Sequence, residues 1–334
     1  SEFLMSNWDI WDQTPAEWDI ALQKFPSHNL YQSAKWGEFK EISGWAIMRM
    51  VCTHAGEIQT MAQALIKQAP LRSIIVWMPG GPIGDIANCD ARFQKTITSA
   101  TKAKFSYFRI GLMNLRGQAT SDLLISQGWN SCSRSLGASE TVKLDFSQNE
   151  HDVFSQSSSN WSRNLKRSGR LKKSPYIWSN PNSQVICDAL DQMTEYKQVA
   201  NQISTFDYDS MKQLFSLFSS EVTVVRVDNE GGQLLSLRAG LLIGKKGWDI
   251  IAVTTPEGRK NYSSYAVFQK LTSELILSGC KEYDLSGVDA MNNPGVYNFK
   301  KGTGGTSFPY QGEWETSSPA FLRSLFSKAI STFG

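Results

Sequence analysis

Apolar positions along the chain switch repeatedly between a period of two and a period of 3.6, which predicts strands and helices in alternation. Thr14, Pro15 and Glu17 have the order of an N-cap, a first-turn proline and a capping-box acid. A helix is therefore expected over Thr14–Lys24, with Trp18, Leu22 and Phe25 on its inner face. Trp45–Cys52 and Ile58–Ile66 are apolar-rich runs separated by His54-Ala55-Gly56-Glu57, a hairpin signal. Ser73–Met78 is a continuous apolar run ending at Pro79-Gly80-Gly81-Pro82, which reads as a buried strand entering a rigid loop. A helix over Arg92–Lys102, a strand over Phe105–Ile110, a helix over Thr120–Gln127 and a strand over Glu140–Phe146 come next. Together they describe a mixed lobe of strands and helices.

The polar stretch Gln148–Asn160, with four serines, marks the expected boundary between two lobes. Beyond it come a basic helix over Trp161–Lys173 and helices near Val185–Val199 and Asp209–Ser219. Strands Val222–Val227, Gln233–Ile243 and Trp248–Thr254 are next, then a helix Tyr262–Leu277 stopped by Gly279, and a short strand Glu282–Leu285. Three strands, a long helix and another strand resemble the GNAT acyltransferase core. The apolar residues Phe321, Leu322, Leu325, Phe326 and Ile330 form a helical stripe within Pro319–Ser331, and that stripe needs a partner surface. The expected fold class is α+β, and the family resemblance carried by the Tyr31–Lys40 and Tyr283–Lys300 segments implies two GNAT-like lobes in tandem, residues 6–150 plus 316–334 and residues 151–315.

The chain has 334 residues, 41% of them apolar and 11% aromatic, which excludes a disordered chain and allows two cores. A net charge of +3 makes any nucleic-acid argument depend on local clustering. Cys52, Cys89, Cys132, Cys187 and Cys280 lack ligand or disulfide spacing and His28, His54 and His151 are isolated. No metal site is expected, and a reducing compartment, the cytoplasm, fits best. No run approaches the roughly 18 apolar residues of a membrane span, so no integral membrane segment is expected. Ser1-Glu2-Phe3-Leu4 before Met5 reads as a vector-derived scar.

Three segments carry candidate chemistry. Val253 to Tyr265 runs from a strand end to a helix start and resembles the acetyl-CoA pyrophosphate loop of GNAT enzymes. The positions of the phosphate-facing glycines after Arg259 here hold Tyr262 and Ser264, whose side chains would crowd a diphosphate. A plain helix start capped by Asn261 or Ser263 is the alternative for that loop. Tyr283-Asp284-Leu285-Ser286-Gly287-Val288-Asp289, followed by Phe299-Lys300 before Gly302 and Gly304, resembles the FemABX family of non-ribosomal peptidyltransferases. That family has a YDLGG or YDFGG strand end and then an FK pair. Tyr31-Gln32-Ser33-Ala34-Lys35-Trp36-Gly37-Glu38-Phe39-Lys40 likewise resembles its Q-S-x-x-W-G-x-x-K segment.

The resemblance runs from Tyr31 to the C-terminal helix and matches the short, armless form of the family. It implies that Lys300 is the catalytic residue and that Lys40 meets the diphosphate of a precursor. Trp36, Tyr262 and Phe299 would lie beside the substrate. Taken as a surface residue next to Lys301, Lys300 would mean nothing, and Lys40 on spacing alone is a solvated lysine four residues from a core tryptophan. Arg163, Lys166, Arg167 and Arg170 at i, i+3, i+4 and i+7 would line one helix face, with Lys172 and Lys173 beyond. The stripe suits either solvent or the phosphates of tRNA. Ser204–Tyr208 lacks the arginine that precursor users carry there, which bears on whether the acceptor is UDP-linked.

The activity implied is transfer of an amino acid from aminoacyl-tRNA to the side-chain amine of a peptidoglycan stem peptide. The partners implied are aminoacyl-tRNA and a UDP-linked or lipid-linked muropeptide precursor, with no cofactor beyond the aminoacyl-tRNA co-substrate, in a monomeric protein. Asp289 and Glu313 are candidate general bases. An acyl-CoA-dependent N-acyltransferase, a transferase acting on another amine, and a non-catalytic binding protein are the rival readings.

Overall fold

The computed structural model describes residues 7–147, 153–197 and 208–330. Ser1–Leu4, His151, the first part of the polar stretch from Gln148, the end of the helix expected to Val199, and Ser204–Asp207 fall outside the described residues.

The chain folds as two compact units, Ser1–Ser139 with Pro309–Gly334, and Glu140–Phe308. The first begins with β1 (Asn7–Ile10), α1 (Pro15–Leu22), α2 (Ala34–Ile42), β2 (Ala46–His54), β3 (Glu57–Ala69), β4 (Ser73–Pro79) and β5 (Ile83–Gly84). It continues through α3 (Ala91–Thr101), β6 (Phe105–Leu115), α4 (Gln118–Ser126) and β7 (Asn130–Ser131). The second holds β8 (Glu140–Asp145), α5 (Ser159–Ser168), β9 (Tyr176–Ile177), α6 (Ser183–Lys197), α7 (Tyr208–Leu217), β10 (Val222–Asp228), β11 (Leu234–Ile243) and β12 (Lys246–Thr254). After these come α8 (Pro256–Lys260), α9 (Ser263–Leu277), β13 (Glu282–Asp284) and α10 (Pro294–Gly302). The chain then returns to the first unit along β14 (Thr306–Ser318) and ends the described residues in α11 (Arg323–Ile330).

Both units use one plan. In the first, β2, β3 and β4 run antiparallel, α3 crosses over, and β6 lies parallel to β4. In the second, β10, β11 and β12 run antiparallel, α9 crosses over, and β13 lies parallel to β12. Each parallel strand then receives an antiparallel neighbour from elsewhere in the chain, β14 beside β6 and β8 beside β13. That pairing sets the division. Leu144 is in register with Tyr283, so β8 belongs to the second unit, and Tyr310–Ser318 pairs with β6. The units therefore part at 139/140 and 308/309, not at the polar stretch and residue 315.

Local signals explain the elements that frame the candidate sites. Thr14 and Glu17 form the expected capping box, with the Thr14 side chain accepting from Glu17 N, and Trp18 and Leu22 are buried. Gln32 is fully buried. Its amide donates to Pro79 O at 2.9 Å and accepts from Gln63 N at 2.7 Å, so this motif glutamine clamps β3 to the Pro79-Gly80-Gly81-Pro82 loop. In α11 only part of the expected stripe is covered: Phe326 and Ile330 pack on Ile75 and Tyr107 of the first unit, while Phe321 and Leu325 stay exposed. A 3-10 turn over Ala320–Leu322 precedes α11 and rotates Phe321 out of the stripe.

Candidate active site and substrate contacts

Lys300 lies in α10, which opens on Asn293 and Pro294. The Phe299-Lys300 pair is thus helical and does not sit at a strand end, and the two side chains diverge by about 100°. Lys300 is 7% exposed, and its ammonium donates to the Leu285 carbonyl and, at 2.8 Å, to the Gly287 carbonyl. The turn that aims those carbonyls is made by Ser286 and Gly287, both in the left-handed region at φ 58° and 88°. Serine adopts that backbone at a cost that glycine avoids, so the first glycine of the family motif marks a real conformational demand. Asp284 fastens the turn, its Oδ1 accepting from Ser286 N at 2.8 Å and Thr141 Oγ1 at 2.6 Å, while Gly287 N donates to Thr141 Oγ1 at 3.0 Å.

An ammonium has three N–H donors. Two are spent on carbonyls, and the third meets no acceptor among the described residues. Burial pushes the Lys300 amine down to about 8, with Asp249 and Asp284 pulling it up and Arg238 pressing it further down. These neighbours form a buried network that the motifs do not announce. Arg238 Nε donates to Asp249 Oδ1 at 2.9 Å, the Tyr283 hydroxyl donates to the same oxygen at 3.0 Å, and the guanidinium lies 4.8 and 4.9 Å from the Phe268 and Phe299 ring centres. The available signal was a lone charge inside an apolar strand, Arg238 in β11 and Asp249 in β12.

Phe299 is half-buried within an aromatic cluster, 4.9 Å from Tyr265, 5.4 Å from Phe268 and 5.9 Å from Trp161 between ring centres. Tyr262 is the N-cap of α9 in the left-handed region, φ 57°, with no side-chain cap bond. Neither Asn261 nor Ser263 caps α9; Ser263 Oγ donates to Gly258 O at 2.9 Å instead, tying α8 to α9. The Tyr262 hydroxyl accepts from Arg167 at 3.0 Å.

Arg167 belongs to α5, which ends at Ser168 and is shorter than the expected helix to Lys173. Arg163, Lys166 and Arg167 are exposed on that helix. Arg170 lies in the turn after Gly169 and does not continue the stripe, because the helix stops at its glycine C-cap. Asn164 anchors the other face, donating to the Tyr265 hydroxyl at 3.1 Å.

In the first unit, α2 places Trp36 and Lys40 on one face, with the ammonium 5.7 Å from the indole centre. Burial, and then the charge of Lys67, holds Lys40 below the ordinary lysine value. The Trp36 indole N–H is buried with no acceptor among the described residues. The two candidate bases are committed elsewhere. Glu313 accepts from Arg109 Nε at 2.6 Å and from Leu136 N and Gly137 N, and Asp289 closes a turn through Met291 N and Asn292 N, both at 3.0 Å. Among the described residues no three His, Cys, Asp or Glu gather as a metal would require, and no helix is long and apolar enough to cross a membrane.

No family model matches the chain. Lipid II:glycine glycyltransferases of Staphylococcus aureus are similar to it over 79 residues, at 34% identity for strain bovine RF122 / ET3-1 and 33% for strain USA300. The match covers 23% of this chain and 19% of those relatives, so it spans about a fifth of their length. Among solved structures, FemX superposes with a TM-score of 0.78 at 16% identity over 97% of this chain and all of FemX. L-PGS from Bacillus licheniformis gives 0.55 at 13% identity over 95% of this chain and 97% of that one. A tandem GNAT protein from the clavulanic acid pathway gives 0.54 at 9% identity over 94% and 99%. These likenesses establish the fold, two GNAT-like units in tandem, for which FemX is a full-length structural counterpart.

Proposed function

We propose that the protein transfers an amino acid from aminoacyl-tRNA to the side-chain amine at the third position of a peptidoglycan stem peptide. The observation that carries the reading is the Lys300 ammonium, buried, anchored by two carbonyls and left with one donor unclaimed among the described residues. When the amine attacks the aminoacyl ester, a C–N bond forms and the carbonyl oxygen gains negative charge. The C–O bond to the tRNA ribose then breaks, and the ribose oxygen leaves with the proton the amine gives up. A preorganised donor at the developing oxyanion is worth about 3–4 kcal/mol. Lys300 needs little reorganisation to act there, because α10 and the Leu285–Gly287 turn already hold it.

Lys40 is read as the contact for the precursor diphosphate, with Trp36 beside it offering an unclaimed N–H. Tyr262 and Phe299 are read as walls of the acceptor site, and Arg163, Lys166, Arg167 and Arg170 as contacts for tRNA phosphates. The relatives named lipid II:glycine glycyltransferase support a bridge-forming reaction. The test is to incubate the protein with a mixture of charged tRNAs and with UDP-linked or lipid-linked muropeptides, then search for the added aminoacyl mass. Ribonuclease should abolish the product. A product formed from acyl-CoA without RNA, or no product with any acceptor, defeats the reading.

A further inference from the structure

We infer that Arg238 and Tyr283 are positioning residues that hold the Asp249 carboxylate back from Lys300, so that the ammonium is steadied by carbonyl dipoles and keeps one donor for the reacting carbonyl oxygen. The inference rests on the role proposed above for Lys300 and adds two residues to that site.

The chain makes room for this arrangement at three places. Ala239 pairs with Ile251 and Gly240 with Asp249, so one residue, Ile250, bulges from β12 between them. Without that bulge Ile250 would lie opposite Gly240, and Asp249 would turn to the other face of the sheet. With it, Asp249 shares the face of Arg238. Gly240 and Gly247 clear the way for Tyr283: a Cβ at Gly240 would lie 3.2 Å from the Tyr283 hydroxyl, and one at Gly247 would lie 2.9 Å from its ring. The Arg238 guanidinium is fixed in turn between the Phe268 and Phe299 rings.

What the network withholds is an ion pair. Asp249 is the charge that most favours the ammonium of Lys300, Asp284 is the next, and Arg238 opposes it. Asp284 faces the amine from β13 and is committed to Ser286 N and Thr141. Asp249 accepts from Arg238 Nε and the Tyr283 hydroxyl, both through Oδ1, and among the described residues Lys300 donates only to the Leu285 and Gly287 carbonyls. Burial, and then the charge of Asp249, pushes the Tyr283 hydroxyl well above its ordinary value, so it stays a donor. Without Arg238 the carboxylate is stranded in the core, and the cation left facing it is Lys300. A direct pair would spend the third N–H of the ammonium on a fixed anion and leave none for an oxyanion.

An NMR titration of Lys300 in the whole protein reads this without turnover, using isotope-labelled lysine and assigning the signal by its loss in Lys300→Met. The wild-type amine should titrate at about 8. In Arg238→Met it should titrate about 1–3 units higher, the shift that a direct ion-pair partner produces. Adding Asp249→Asn removes the capturing carboxylate and should bring the midpoint back to within about one unit of wild type. Turnover per folded molecule should fall about 10- to 100-fold in Arg238→Met and recover most of that loss in the double variant, which a network serving stability alone would not give. Tyr283→Phe keeps the ring, should move the midpoint the same way by a smaller step, and carries the test should Arg238→Met fold poorly. A midpoint that stays in place or drops in Arg238→Met, a double variant no more active than Arg238→Met, or, where Tyr283→Phe carries the test, a midpoint it does not raise would overturn the inference. The expected midpoints with no aminoacyl product in the mass assay would leave the network standing and sink the transferase reading. A product from the wild type with an unmoved midpoint in Arg238→Met would do the reverse.

Discussion

Arg109 in the first unit and Lys300 in the second are both long cations almost wholly buried, and they are held in opposite ways. Arg109 is neutralised where it stands. Its Nε and Nη2 meet the Glu313 carboxylate, Nη2 also reaches the Arg134 carbonyl, and Nη1 lies 3.5 Å from the Tyr107 hydroxyl, which itself donates to Glu315 at 2.6 Å. Lys300 meets only carbonyl dipoles, and the carboxylate that most favours its charge, Asp249, is already bonded to Arg238 and Tyr283. A charge matched on the spot fastens strands together. A charge supported by dipoles, with a donor spare, suits the role proposed for Lys300, in which charge arrives and departs with a reaction.

The contrast breaks most readily at Arg109. Arg109→Met should strand Glu313 as a buried unpaired carboxylate and cost about 3–5 kcal/mol of stability, measured by urea unfolding. Turnover per folded molecule should hold. If it falls while the unfolding midpoint stays put, Arg109 is not a fastener and the two cations are alike after all.

Lys300→Met makes the complementary test, keeping the stem volume and removing the charge. Turnover should fall by about 100- to 1000-fold, the range for losing one oxyanion donor. Precursor affinity should change little, because the interaction is made chiefly in the transition state. Lys301→Met is the control. On a helix the neighbouring side chain points about 100° away, and the Lys301 ammonium engages Ser307 Oγ and lies 6.0 Å from the Tyr297 ring centre. Equal losses at both positions would reduce Lys300 to a surface-like cation.

The pH profile sharpens the same point. With the Lys300 amine pushed down to about 8, an ammonium role gives turnover that is full below that pH and falls about tenfold per unit above it. A role as neutral base would give the opposite, a limb that rises through the same pH. Asp249 favours the charged form, so Asp249→Asn should move the falling limb to lower pH. A limb that stays where it was would separate Lys300 from the Arg238, Asp249 and Tyr283 network.

How much of this was legible in the sequence depended on whether a residue's meaning was local. The Thr14 capping box, the hairpins and the β–α–β crossovers come from spacing, because their hydrogen bonds close within a few residues. The Tyr283 and Phe299-Lys300 segments singled out the candidate site, yet the helical setting of Lys300 was hidden: a Pro294-Gly295 start reads as loop until Asn293 is seen capping it. Arg238 and Asp249 stayed silent because their partnership joins two strands across a register shift at Ala239/Gly240. The unit boundaries were misplaced for the same reason, since β8 and β14 declare their sheet only through distant partners.

The exposed cations of α5 extend the comparison to the surface, where the expected effect is smallest. Arg163, Lys166 and Arg167 are exposed on α5, and the sequence from Val153 to Cys187 holds no aspartate or glutamate to neutralise them locally. If they face tRNA phosphates, each contributes a slope of roughly 0.7–0.9 to the dependence of log affinity on log salt. Replacing all three with glutamine should flatten that slope by about 2–3, read by titrating labelled tRNA at several salt concentrations. Arg167 also donates to Tyr262, so its single variant should alter acceptor handling as well as the slope, whereas Lys166→Gln should alter the slope alone. Arg170 sits in the turn beyond the helix, and Arg170→Gln should change the slope by about one or less. A triple variant with the wild-type slope would return α5 to a solvated face.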